Sequence, residues 1–261
     1  MSAEHEQVIA GFPEFWQQVY RRFPRFFEAA RQLEPIHNKI FRIPVREALH
    51  VVVGRIAIGV SNSFGALITL ALNGYGADAM RVVRSMFEGE VTAAYLRRHP
   101  DKLNDYVDFI WIRQKSLLKY MERYAPQQLQ RVASERVAET HKQFATVAPR
   151  FRSRDGRLLP RWTAVTVREM AEEAGLGQLY LTVYSWACAM HHADFQGLAF
   201  LSERRTLDAA VAPSEDWLET ALVSGHGSAL RVLLCYSEVA KLGMDAELDE
   251  ARRAFLSAWK T

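Results

Sequence analysis

The segment VVVGRIAIGVSNSFGALITLALNG, residues 51 to 74, limits what this chain can become more than any other stretch. It is long and apolar enough to cross a bilayer as one helix, or to run as the axis of a helical domain. Arg55, Asn62 and several small polar residues interrupt it, and a charge facing lipid is costly. It is therefore read as a buried central helix, with no membrane span expected.

Helical periodicity dominates the rest of the chain, and strand-like alternation is almost absent. The spacing predicts helices over 4–20, 22–33, 44–73, 75–98, 101–124 and 127–148, then 166–174, 177–193, 214–242 and 246–259. Several have end signals. Asp101 after Pro100 is a candidate N-cap, and Thr166 with Glu169 forms a capping-box pattern that Gly175 would close. Pro213-Ser214 precedes EDWLETALV, with acids in the first turn where the helix dipole favours them. No repeat of fixed period is visible, which argues against a solenoid. The fold expected is all-α: a single multi-helix bundle over residues 1–261 with a long buried central helix.

Composition agrees with a soluble globular chain, at 49% apolar and 24% charged residues. The net charge of +3 is too small by itself to imply nucleic acid. Two cysteines, Cys188 and Cys235, suit a reducing cytosol without a disulfide framework. The acidic opening MSAEHEQVIAGF lacks the basic and apolar regions of a signal peptide, so a cytoplasmic location is expected.

The clearest break is PRFRSRDGRLLPRW, residues 149 to 162, with five arginines against one aspartate. It reads as a loop within one domain, closed by an Asp-Gly turn. Arg150, Arg152 and Arg154 are candidate phosphate or RNA contacts, or simply a charged loop facing water.

In AMRVVRSMFEGEVTAAYLRR, residues 79 to 98, Met80, Val83, Met86 and Phe87 belong to a wide apolar arc, with Arg84 and Glu88 one turn apart on the opposite side. Glu90 falls near the middle of the apolar arc, where a carboxylate must find a partner, reach out to water or titrate upward.

The second candidate stretch is YSWACAMHHADF, residues 184 to 195. On a helix, Tyr180, Tyr184, Cys188 and His192 follow one ridge at four-residue steps, with His191 beside it. A thiol and an imidazole at that spacing can touch, the minimum for activating a thiolate; a buried cysteine and a core histidine are the plainer reading. His191 and His192 point about 100° apart and cannot easily share one ion, so only His192 with Asp194 could chelate, where the helix ends. No HExxH motif and no pair of Glu-x-x-His helices occurs, so neither a metal nor a cofactor is expected. GYGADA lacks the spacing of a dinucleotide fingerprint, and no P-loop or Gly-x-Ser-x-Gly elbow is present.

Two blocks together resemble a large family of uncharacterised bacterial helical proteins. NGYGADAMRVVRSMFEGEVTAAYLRRHPDKLNDYVDF matches its small-residue turn, its Arg-Ser-x-x-Glu signature and the break that follows. RWTAVTVREMAEEAGLGQLYLTVYSWACAMHHADF matches its Trp, short helix, paired Tyr and closing Ser-x-x-x-His pattern. The resemblance makes residues 44–205 a family-like core between N-terminal helices (1–43) and C-terminal helices (206–261). It carries over to Arg84, Ser85, Glu88, Tyr180, Tyr184 and His192; Cys188 stands where the family usually has Ser, and His191 where it more often has an aliphatic residue.

At a looser level the layout is similar to HEPN domains, helical bundles found in toxin and antiphage ribonucleases that often work as dimers. Their Arg-x4–6-His motif is not present before His192; Arg136 and His141 have that spacing, at a frequency that chance supplies. The resemblance implies a pocket in which Arg84 holds an anion, Glu88 orients it and His192 acts as acid, base or donor, with Tyr184, Cys188 and His191 lining it. Three readings stay open: a module binding a small anionic ligand or a partner, a metal-independent ribonuclease acting on RNA or nucleotides as a homodimer, and a polar cluster that only fastens two helices.

Overall fold

A computed structural model describes residues 11–192 and 213–259, and these are helical with no strand among them. Two isolated β-bridges join Tyr75 to Ser214 and Arg152 to Leu158. The described residues form two compact units, one made from the chain up to Arg97 and again from Met170, the other from Arg98–Glu169.

The larger unit opens with three short helices, α1 (Pro13–Arg22), α2 (Pro24–Arg31) and α3 (Leu33–Ile40). The expected helix over 22–33 is α2, which starts at Pro24 because proline lacks an N–H and suits a first helical position, and α3 fills a stretch where no helix was expected beyond residue 33. The start of the expected helix over 4–20 lies outside the described residues.

The central helix α4 (Ala48–Leu72) buries Val53, Ala57, Val60, Phe64, Leu67 and Ala71, which recur at alternating steps of four and three. Arg55, Ile58, Asn62, Gly65 and Thr69 follow the same rhythm on the outward side. Among the described residues α4 is also the one helix long and apolar enough to cross a membrane. Asn73 ends it: its Oδ1 accepts from Phe12 N and Trp16 Nε1, both at 2.9 Å, and its Nδ2 donates to Thr69 O. Gly74, at φ +76°, then turns the chain into α5 (Gly76–Arg98).

The smaller unit holds α6 (Leu103–Tyr124), α7 (Pro126–Leu129) and α8 (Ser134–Val147). The helix expected over 127–148 breaks at 130–133, where Arg131 N and Val132 N bond back only three residues, tightening the turn until it stops. Phe109, Ile112, Val147, Ala148 and Phe151 form this unit's core.

The Thr166–Glu169 capping box opens α9 (Val167–Glu173): Glu169 N donates to Thr166 Oγ1, and Thr166 N to Glu169 Oε2. Gly175, at φ +76°, closes it.

The chain then runs through α10 (Gly177–Leu179), a π-helical turn over Tyr180–Tyr184, and α11 (Ser185–His192). The last two helices are α12 (Leu218–Ala240) and α13 (Asp245–Ala258). The helix expected from 214 starts four residues later, because Ser214 is bridged to Tyr75 and Trp217 takes a left-handed φ of 64°. α12 lies against α4, and glycines allow the approach: a Cβ on Gly225 would stand 2.6 Å from a Leu67 methyl, and one on Gly54 2.9 Å from the Tyr236 ring.

Candidate functional site

Arg84 and Glu88 face the π turn from α5. The Arg84 Nη2 stands 3.2 Å from Glu88 Oε1, and the Tyr184 hydroxyl donates to that same oxygen at 2.6 Å. Tyr184 is buried, its ring tilted against Phe87 and stacked on Tyr180, each at 5.1 Å between centroids. The π turn delivers it: one wide turn shifts the helix register between Leu179 and Ser185, and such turns often accompany functional positions. A second anchor holds the two helices together, since Arg81 pairs with Asp78 and donates from Nε to the Met190 carbonyl at 2.9 Å.

Burial and the bond to Glu88 push the Tyr184 hydroxyl well above the usual tyrosine range. Burial acts to lower the Arg84 pKa, but Tyr184, Glu88 and Cys188 outweigh it and raise the guanidinium above ordinary arginine. Arg84 is therefore a permanent cation, and its Nε–H is buried with no hydrogen-bond acceptor among the described residues. Leaving such a donor unmet costs about 1–3 kcal/mol.

The half-buried Cys188 is near enough to influence both Arg84 and Tyr184. His191 is exposed, and it is held below the usual imidazole range by desolvation and then by the Arg84 charge. His192 is exposed as well; its ring packs edge-on to His191 at 5.1 Å, and no hydrogen bond or ion pair joins it to Arg84 or Glu88. Helix phase explains the difference: eight residues beyond Tyr184 a side chain has turned about 80°, whereas seven return it to within about 20°. Asp194 lies outside the described residues. Among those described, no three His, Cys, Asp or Glu side chains gather as metal ligands would.

The arginines of the 149–162 loop belong to the smaller unit. Arg150 is held by Asp105, at 3.0 Å, and by Asp108. Arg152 donates to the Gly156 carbonyl, and Arg154 is exposed with no ion pair among the described residues. His141 of the chance Arg-x4-His match is exposed, with Lys115 Nζ 3.2 Å from its ring.

A second buried polar group lies on α5: periodicity set Glu90 on its apolar arc but did not name its partner. Glu90, only 3% exposed, receives both Nε and Nη2 of Arg231 from α12, the latter at 3.1 Å. The trace in the sequence is an arginine within the apolar run SALRVLLCY, a charge of the opposite sign to the one α5 buries. His226, on the same helix as Arg231, is fully buried among Phe26, Phe64 and Phe255, with neither ring nitrogen hydrogen-bonded among the described residues.

A family model described as a family of unknown function (DUF5677) matches residues 50–206. No curated protein and no solved structure matches the chain.

Proposed function

The chain belongs to the DUF5677 family, and from that membership together with the α5–π-turn geometry we propose that it is a binding module for a small anionic ligand held at Arg84. The observation that carries this reading is the buried Arg84 Nε–H, which has no acceptor among the described residues, next to the Nη2 that pairs with Glu88. An incoming phosphate or carboxylate oxygen would satisfy that donor, in the charge-assisted geometry that suits arginine. Tyr184 fixes Glu88, so Glu88 orients the guanidinium rather than competing freely for it. His191 and His192 stand exposed at the end of α11 and add donors, with His191 held below the usual imidazole range by desolvation and the Arg84 charge.

A ribonuclease reading draws on one observation, two adjacent exposed imidazoles of which His191 lies within electrostatic reach of a permanent cation. It requires His192 to move a proton at a scissile phosphate held by Arg84. Induced expression followed by RNA integrity profiling separates the two. A binding module leaves RNA intact, whereas a ribonuclease gives fragments that vanish in both His192→Ala and Arg84→Ala. In parallel, phosphate, sulfate and citrate are screened by thermal shift; stabilisation of wild type but not of Arg84→Gln supports the module, and equal responses overturn it.

A further inference from the structure

One residue round α5 from the Arg84 ridge, Val83 and Phe87 face a different space. They wall a cavity of 260 Å³ together with Leu179 and Val183 of the α10–π segment, Val223 of α12 and Phe255 of α13. The lining is mainly apolar, and its polar groups come from α12 alone: Ser224, Ser228 and Arg231. Ser228 is 2% exposed, and its Oγ has no hydrogen-bond partner among the described residues. A hydroxyl on a helix usually folds back onto a carbonyl one turn earlier, and an unmet buried one is costly. Arg231 is already neutralised by Glu90, so a carboxylate brought there would meet the buried Glu90 charge at short range in a medium that screens poorly.

We propose that this cavity binds a small apolar molecule bearing one uncharged oxygen function, an alcohol or a carbonyl. Its volume exceeds the ~150 Å³ void that takes up benzene, which sets the apolar part at about six to ten carbons. The apolar part lies along Val83, Phe87, Val183 and Val223, and the oxygen meets Ser228 Oγ. The site is independent of the anion site at Arg84, with which it shares helices but no side chain.

The test is calorimetric titration of the full chain with octan-1-ol and, separately, with octanoate. Octanol binds one to one, and octanoate at least ten-fold more weakly. Val223→Phe and Val183→Phe fill the cavity from two walls; each abolishes octanol binding while helical content and a cooperative melt persist. Ser228→Ala weakens octanol about ten-fold but leaves toluene binding unchanged, and this comparison carries the test where a filled variant does not fold. Absence of octanol binding, tighter binding of octanoate, or octanol binding that survives in a folded cavity-filled variant overturns the proposal.

Discussion

The Tyr184 hydroxyl donates to the same Glu88 oxygen that pairs with Arg84, at 2.6 Å and 3.2 Å. One carboxylate thus ties together a π turn and α5. Removing the donor leaves the carboxylate with half its support. Tyr184→Phe is expected to lower stability by about 1–2 kcal/mol, read from urea denaturation. An unchanged midpoint would mean that the bond contributes nothing net.

Glu90 and Arg231 make a sharper case because their exposures differ. The carboxylate is 3% exposed, whereas the guanidinium side chain retains 35% and can reach water. Arg231→Met, which strands a buried anion, is predicted to cost about 3–5 kcal/mol, and Glu90→Leu clearly less. The double variant should recover most of the loss, since replacing a buried pair by apolar residues is often neutral. Equal single costs with no recovery would contradict the asymmetry.

His226 predicts a pH dependence. Burial among Phe26, Phe64 and Phe255 pushes its pKa down to about 4 from 6.5. The unfolded chain takes a proton on this ring near 6.5, and the folded chain does not until about 4. Its contribution is therefore complete above 6.5, falls as the pH drops toward 4, and is flat below that. The loss is on the order of 3 kcal/mol, and the wild-type minus His226→Leu stability difference across this window measures it. A difference that stays constant would show that the ring is protonated inside the fold or is reached by water.

Glycines on α4 and α12 divide by what a methyl group would meet. At Gly225 it would strike Leu67, whereas at Gly65 nothing stands within 4 Å. Gly225→Ala should destabilise by about 1–3 kcal/mol and Gly65→Ala should stabilise by about 0.5–1 kcal/mol, both read as shifts in Tm. A gain at both positions would mean that Leu67 yields easily.

Local signals were legible where the chemistry itself is local. The Thr166–Glu169 box, the turn at Gly175 and the α4 burial rhythm are decided within a few residues, and sequence spacing carries them. The Glu90–Arg231 pair was half legible: a buried carboxylate demanded a partner, but periodicity does not say which helix packs opposite. The π turn was hidden because a four-residue ridge drawn on a regular helix ignores a wide turn. That ridge placed His192 in line with Tyr184, although helix phase returns His191 closer to it. The pocket implied by the resemblance joined Arg84 and Glu88 to His192, whereas Glu88 takes its hydrogen bond from Tyr184.

Ligand binding at Arg84 is tested most directly by calorimetric titration of inorganic phosphate into the wild type, Arg84→Lys and Arg84→Gln. Saturable one-to-one binding that weakens at least ten-fold in Arg84→Lys, which keeps the charge but loses the planar fork, and disappears in Arg84→Gln is the predicted result. Phosphate binding that is equal in all three proteins, or absent from the wild type, would contradict an anion site at Arg84.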